Sequence, residues 1–365
     1  MLMINDLLRH NQSLIGEVST AAISVLESGW YVLGKQVKEF EQEFAQYCQT
    51  EHCISVANGT DALELALRAL GLGMGSQVIT VANAGAYSTT AILAVGALPV
   101  YVDINADTLL LSIEHLRCLI NDETKAIVVT HLYGQAAPVH EVLALAAKYD
   151  IPVIEDCAQA HGAVLNGRRV GSFGALGCFS FYPTKNLGAA GDGGAITTND
   201  AVLAKRVQML RQYGWQSKYE IALVGGRNSR MDEMQAAILR VKLPHLDNWN
   251  RRRFEISQLY ITGIRHPLVT LPHIAADSFV GHLFIIRAEK RDELRDHLKQ
   301  TQITSEIHYP IPDYRQIAFA ALFAGVELPA TEHACRVILT LPCFPEMTDV
   351  EIQHVIEAVN RWTAA

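Results

Sequence analysis

The fold is decided by EDCAQAHGAVLNGRRVGSFGALGCFSFYPTKNLGAAGDGGA, residues 155–195. A short apolar run, IPVI at 151–154, precedes it and reads as a buried strand. The carboxylates of Glu155 and Asp156 therefore stand at that strand's carboxyl end. A second β-prone run, CFSFY at 178–182, leads into Pro183, Thr184 and Lys185 and then a turn holding Gly188, Gly191, Gly193 and Gly194. Open α/β sheets keep their ligands outside the carboxyl ends of the strands, so the spacing aims an acid and a lysine at one rim.

That pair suits pyridoxal 5'-phosphate (PLP). Its aldehyde joins a lysine, and its pyridine nitrogen needs a neighbouring carboxylate if the ring is to act as an electron sink. Asp156 and Lys185 are the candidates. On spacing alone, a solvated surface acid and a loop lysine would read the same way. The strings narrow the choice: EDCAQAHGA and SFYPTKNLGAAGDGGA resemble the two central motifs of the DegT/DnrJ/StrS-type sugar aminotransferases, a PLP family of fold type I. The resemblance implies an α/β architecture. A large domain, residues 1–245, would carry a mostly parallel seven-stranded sheet flanked by helices, and a smaller α+β domain would occupy 246–365.

Upstream, HCISV at 52–56 is a short strand running into Asn58, Gly59, Thr60 and Asp61 and then the helical ALELALRAL. A strand, a glycine turn and a helix N-terminus offer free N–H groups and a positive dipole end to an anion, although the same residues would serve equally as a plain N-cap. In the resembled family Gly59 and Thr60 contact the PLP phosphate, and Ser180 matches a serine that does so too. The strand at 77–82 is followed by NAGAYSTT, which departs from the commoner family pattern. Tyr87 is the candidate for the aromatic ring that stacks on the pyridine face, and an ordinary packed tyrosine would read alike. Strands at 98–104 and 126–131, alternating with helices at 90–96, 112–120 and 139–149, keep the βαβ rhythm of a parallel sheet. His131 opens HLYGQ, an architectural segment in the family. By the same resemblance Gln159 faces the pyridine ring and its 3-oxygen, and His161 lines the site on the substrate side; a hydrogen-bonded structural histidine would read like His161. Asn186 is expected only to cap a turn. At the N-terminus, residues 6–27 read as one helix and 37–47 as an amphipathic one.

Downstream, GGRNSRMDEMQAA at 225–237 resembles the family's G-x-N-x-R-x-D-E-x-Q-A-A motif, whose asparagine reaches the cofactor phosphate of the other subunit. The resemblance thus implies a homodimer with Asn228 completing the partner's site. A charged helix at 246–262, strands at 280–287 and near Ile307, and helices at 291–300 and 349–363 outline the smaller domain. HYPIP at 308–312 resembles a segment lining the substrate mouth, which makes His308 and Tyr309 substrate contacts and points to members that aminate C3 of a deoxyhexose.

Composition narrows the classes. The net charge of −8, with no basic stripe, argues against nucleic-acid or anionic-membrane partners. No run reaches the ~18 apolar residues of a membrane span, and the N-terminal residues lack the features of a signal peptide. Seven scattered cysteines without a CxxC fit reduced thiols in the cytoplasm. Fourteen histidines without ligand spacing give no metal site. The resemblance implies transfer of an amino group from L-glutamate to a nucleotide-linked keto-deoxysugar. A dTDP-3-keto-6-deoxyhexose is the first choice, and a 4-keto-6-deoxyhexose on dTDP or UDP is the alternative, in deoxyaminosugar synthesis such as that for lipopolysaccharide. Lysine at position 185, where the family's dehydratases carry histidine, favours amine transfer. Another PLP enzyme acting on amino acids alone, or a non-catalytic binding or regulatory protein on the same fold, are the remaining classes.

Overall fold

A computed structural model describes residues 1–364. Seven strands build the main sheet: β1 (His52–Val56), β2 (Gln77–Val81), β3 (Leu98–Val102), β4 (Thr124–Thr130), β5 (Val153–Asp156), β6 (Leu176–Ser180) and β7 (Gly194–Thr198). Their order across the sheet is β1-β7-β6-β5-β4-β2-β3. β7 runs antiparallel to both of its neighbours, and every other pairing is parallel. Six strands thus point the same way, and their carboxyl ends share one rim.

The strands read as apolar runs because both faces are covered. Alternation assigns neighbours to opposite layers: Ala126 and Val128 pack with Leu65 and Leu67 of the helix Gly59–Ala69, while Ile127 and Val129 pack with Val139 and Val142 of the helix Val139–Ala146. Beside β6, Phe40 and Phe44 of the helix Lys35–Cys48 meet Phe179 and Phe181 edge to face, with ring centroids 5.0–5.3 Å apart. Such pairs add about 0.5–1.5 kcal/mol beyond the burial of their area.

A second core joins the helix Leu246–Gly263, the antiparallel pair β8 (Phe284–Arg287) and β9 (Ile338–Leu341), and the helix Asp349–Arg361 around Ile256, Tyr260, Phe284, Leu339 and Val355. A reciprocal cap between Thr348 and Glu351 starts the last helix. The first residues sit on this core: Leu2 N–H donates to Gln302 O at 2.7 Å, and Arg9 pairs with Glu351 at 2.8 Å. No helix among the described residues is long and apolar enough to cross a membrane.

Several elements differ from expectation. The first helix is two, Leu7–Gln12 and Ile15–Ser28, because the chain turns at the junction to bury Leu14. The expected strand at 280–287 is confined to β8, and Ile307 lies in no strand; its neighbour Glu306 makes only an isolated bridge to Thr340. β7 and β9 were not anticipated. β7 begins at Gly194, where the Asn58 carbonyl occupies the space a side chain would need, so this strand carries a residue type that usually marks a break.

Candidate active site

Four segments leave the shared rim and converge. After β1, the Asn58 side chain accepts from Asp61 N–H at 2.8 Å and caps the helix Gly59–Ala69. The N–H groups of Gly59 and Thr60 find no acceptor among the described residues, as expected of the first turn of a helix. After β2, Tyr87 opens the helix Tyr87–Ala94. β5 ends in Asp156. β6 ends in Ser180, and a turn closed by Lys185 N–H on Tyr182 O, at 2.8 Å, brings Lys185 back over the rim. Gly59, Thr60, Tyr87, Asp156, Ser180 and Lys185 line one cavity of about 300 Å³. Leu63 and Asp192 line it as well; the sequence reading had singled out neither.

Gly59 is required by close approach. A Cβ there would fall 2.6 Å from Ser180 Cβ, so the helix start and the end of β6 press together and leave two N–H groups and the serine hydroxyl facing the same space. Gly59→Ala is expected to weaken PLP affinity at least about tenfold, through displacement of this cradle. Equilibrium dialysis of PLP against the variant measures it, and an unchanged affinity would show that the cradle does not hold the phosphate.

The acid and the lysine are shifted in opposite directions. Burial pushes the Asp156 carboxyl up, while the Ala158 N–H and the Lys185 ammonium pull back. Burial brings Lys185 down to about 8, with Asp156 opposing. The neighbouring Glu155 points to the other face of β5 and does different work. Its oxygens accept from the N–H groups of Gly171, Phe173 and Gly174 at 2.7–2.8 Å and from His131 Nε2 at 3.0 Å. Burial raises this carboxyl, but His131 and the amides override it and hold it below its ordinary value. His131 Nδ1 accepts from Ala137 N–H at 2.9 Å, which leaves the ring proton on Nε2 for Glu155. The pair ties HLYGQ and the loop at 171–174 beneath the site.

A second cavity, about 310 Å³, opens on the other side of Lys185. It shares Tyr87, Tyr182 and Lys185 with the first, and Glu306, His308 and Tyr309 form much of its far wall. His308 Nδ1 meets Thr340 Oγ1 at 2.8 Å, and the Tyr309 ring stands edge-on to Tyr87 at 6.2 Å.

The other expected residues fall elsewhere. Gln159, expected against the pyridine ring, is buried; its oxygen accepts from Tyr133 N–H at 2.7 Å and its amide donates to Tyr309 Oη at 3.0 Å, so it holds Tyr309 in place. His161, expected among the substrate contacts, is wholly enclosed between Phe179 and Phe181 and lines neither cavity. Burial drives its ring down to about 3, so the ring is neutral, and neither nitrogen finds a side-chain hydrogen-bond partner among the described residues. Asn186 does more than cap a turn: it is buried and bonded to Asn250, Val280 O and His282. Asn228 is exposed, accepts from Arg230 Nε at 2.7 Å, and lines neither cavity of its own chain.

Comparison with known proteins agrees with this geometry. The DegT/DnrJ/EryC1/StrS aminotransferase family model matches residues 12–360. The dTDP-3-amino-3,6-dideoxy-alpha-D-galactopyranose transaminase of Aneurinibacillus thermoaerophilus is 46% identical over 99% of each chain. The dTDP-3-amino-3,4,6-trideoxy-alpha-D-glucose transaminase of Streptomyces venezuelae is 43% identical over 98% of this chain and 95% of its own. The crystal structure of S. venezuelae DesV in complex with a ketimine intermediate superposes with a TM-score of 0.95 at 43% identity, covering 98% of this chain and 97% of that one. A match over nearly the whole chain, onto a rim already arranged around an acid and a lysine, places this protein in the DegT/DnrJ/EryC1/StrS aminotransferase family.

Proposed function

We propose that this PLP-dependent transaminase moves an amino group from L-glutamate to the C3 keto group of a dTDP-linked 6-deoxyhexose. The observation that carries the reading is the position of Lys185 in the wall common to both cavities. One cavity has the chemistry to hold the cofactor, and the other is lined by polar side chains suited to a sugar. The names of the two relatives above, both 3-amino-sugar transaminases, support the choice of C3.

The residues fit PLP group by group: Asp156 for the pyridine nitrogen, Tyr87 for a ring face, and Gly59, Thr60 and Ser180 for the phosphate. When bound, PLP supplies the electron sink for the pair left behind when a proton leaves the donor's α-carbon. Asp156, enclosed by protein and held by Ala158 N–H, keeps a proton on the ring nitrogen. Lys185 Nζ, once free, takes the α-proton and hands it on, and for this it must be neutral. With its pKa brought to about 8, about a tenth of such lysines are neutral at pH 7. Tyr87 and Tyr182 stand in the lining common to both cavities, and Tyr309 lines the second. The division into a larger cofactor-holding domain at 1–245 and a smaller one at 246–365 belongs to the same proposal, and the second core supports it.

A homodimer is part of this reading. Ile15, Ile23, Leu26, Trp30 and Tyr31 stand exposed on and beside one helix, an apolar surface suited to a second copy, and the exposure of Asn228 leaves its side chain accessible to such a copy. Asn228→Asp is expected to loosen PLP about tenfold by setting a carboxylate against that phosphate. Cofactor retention on gel filtration reads it, and retention equal to that of the unmutated enzyme would remove Asn228 from the site. All seven cysteines are free, and six are buried, which supports a reducing cytoplasmic setting.

The test takes the PLP-loaded enzyme through each half-reaction. L-glutamate should bleach the visible cofactor absorbance and release 2-oxoglutarate, and a dTDP-3-keto-6-deoxyhexose should then restore the absorbance and yield the 3-amino sugar. Failure with glutamate would reject the donor. Faster restoration by dTDP-4-keto-6-deoxyglucose would move the reaction to C4.

A further inference from the structure

His282 lies in the wall of the second cavity with Lys185, and its ring is held by a chain of amides whose orientations are all determined. Asn250 Nδ2 donates to His161 O at 2.8 Å, which turns Asn250 Oδ1 toward Asn186. Asn186 Nδ2 donates to that oxygen at 2.8 Å and to Val280 O at 2.9 Å. Reversing either amide would set oxygen against a backbone carbonyl. Asn186 Oδ1 therefore faces His282 Nδ1 at 2.9 Å and can only accept, so the proton of a neutral ring sits on Nδ1. Burial, followed by the nearby charges of Lys185 and Arg253, opposes a second proton. His282 Nε2 is left with a lone pair, finds no partner among the described residues, and is not sealed away from solvent.

We infer that His282 Nε2 is a preset hydrogen-bond acceptor for a ring hydroxyl of the keto-sugar, and that it sets specificity in the half-reaction that consumes the sugar. The inference rests on the sugar-transaminase reading above. The surroundings suit a sugar. The same chamber offers Glu306, Thr340 and Tyr309, and Lys185 is the only lysine or arginine among its lining residues. The sugar ring of the acceptor, a neutral polyol, finds acceptors and hydroxyls there. A site built to receive a hydroxyl discriminates strongly against the analogue lacking it, because the buried acceptor is then left unpaired.

The test is calorimetric, on the enzyme loaded with pyridoxamine 5'-phosphate, which has no aldehyde for the amino sugar to react with. The ligands are dTDP-3-amino-3,6-dideoxygalactose, its analogues each lacking one ring hydroxyl, and dTDP alone. With the unmutated enzyme, removal of one particular hydroxyl is expected to weaken binding at least about tenfold; equal affinity across the analogues would overturn the inference without any variant. His282→Phe should weaken the amino-sugar nucleotide by about the same factor, leave dTDP within about twofold, and no longer distinguish the critical analogue. His282→Gln, which retains an oxygen acceptor, should regain most of the affinity. Equal weakening of the sugar nucleotide and dTDP would make His282 a merely structural residue and reject the proposal. If the unmutated enzyme binds dTDP but gains nothing from the amino sugar, the substrate reading itself fails, and this inference fails with it.

Discussion

Lys185→Ala is expected to abolish amine transfer, with a loss of at least about 10⁴-fold, because one side chain both anchors the cofactor and moves the proton. The fold should survive. Lys185 Nζ donates no hydrogen bond within the described residues, and the turn that carries it is closed by its backbone N–H on Tyr182 O. Noncovalently held PLP should remain detectable through the cradle around Gly59 and Ser180, whereas the visible absorbance typical of lysine-bound PLP should be missing. Retained turnover would remove Lys185 from both roles. The pKa adds a second readout. Lys185 falls from 10.5 to about 8 because burial disfavours the ammonium. Capture of PLP by the cofactor-free protein should therefore accelerate about tenfold per pH unit up to about pH 8 and then level off. A plateau reached only above pH 10 would contradict the desolvated lysine. The stability sign follows by linkage. Between pH 8 and 10.5 the unfolded chain holds more protons at this lysine than the folded one, so the penalty is full below pH 8 and fades as pH rises through that window.

Asp156→Asn should slow the glutamate half-reaction by about 10²–10³-fold and also weaken PLP binding. The substitution keeps the size of the side chain and can keep the acceptor that meets Ala158 N–H at 3.1 Å. What it removes is the charge that stabilises a protonated pyridine nitrogen. Burial raises the carboxyl despite the opposing Ala158 N–H and Lys185 ammonium, and a protonated ring nitrogen is the further partner that would hold it ionised. Single-turnover absorbance after mixing with L-glutamate measures the effect. A rate within about threefold of the unmutated enzyme would reject the electron-sink role assigned to this acid.

Asp156 and Lys185 were legible because each follows a strand end, and strand ends are marked in sequence by an apolar run giving way to polar residues and glycine. Ser180, Gly59 and Tyr87 were reached by resemblance, and they line the same cavity. Glu155 was legible only as half of an acid pair. Strand alternation sends it to the opposite face, where three backbone amides take it, and no local pattern announces those partners 16 to 19 residues away. Asn186 looked like a turn residue because its partners, Asn250 and His282, lie 64 and 96 residues off. His282 sits in the apolar run VGHLFII, inside the stretch expected as a strand at 280–287, and nothing local marks it as part of a site. β7 was missed because its first residue, Gly194, read as the end of a glycine-rich turn, whereas here its missing side chain admits the Asn58 carbonyl.

The two cavities have only three side chains in common, Tyr87, Tyr182 and Lys185. The walls of one come from the loops after β1, β2, β5 and β6, and much of the other comes from residues beyond 280. Mutational drift in the second set can therefore alter which sugar is accepted while the cofactor's holding residues stay constant. A redesign for a new keto-sugar would start at Glu306, His308 and Thr340 and leave residues 58–60 and 156 untouched, so that each variant could first be checked for normal PLP loading and then screened for acceptor choice alone.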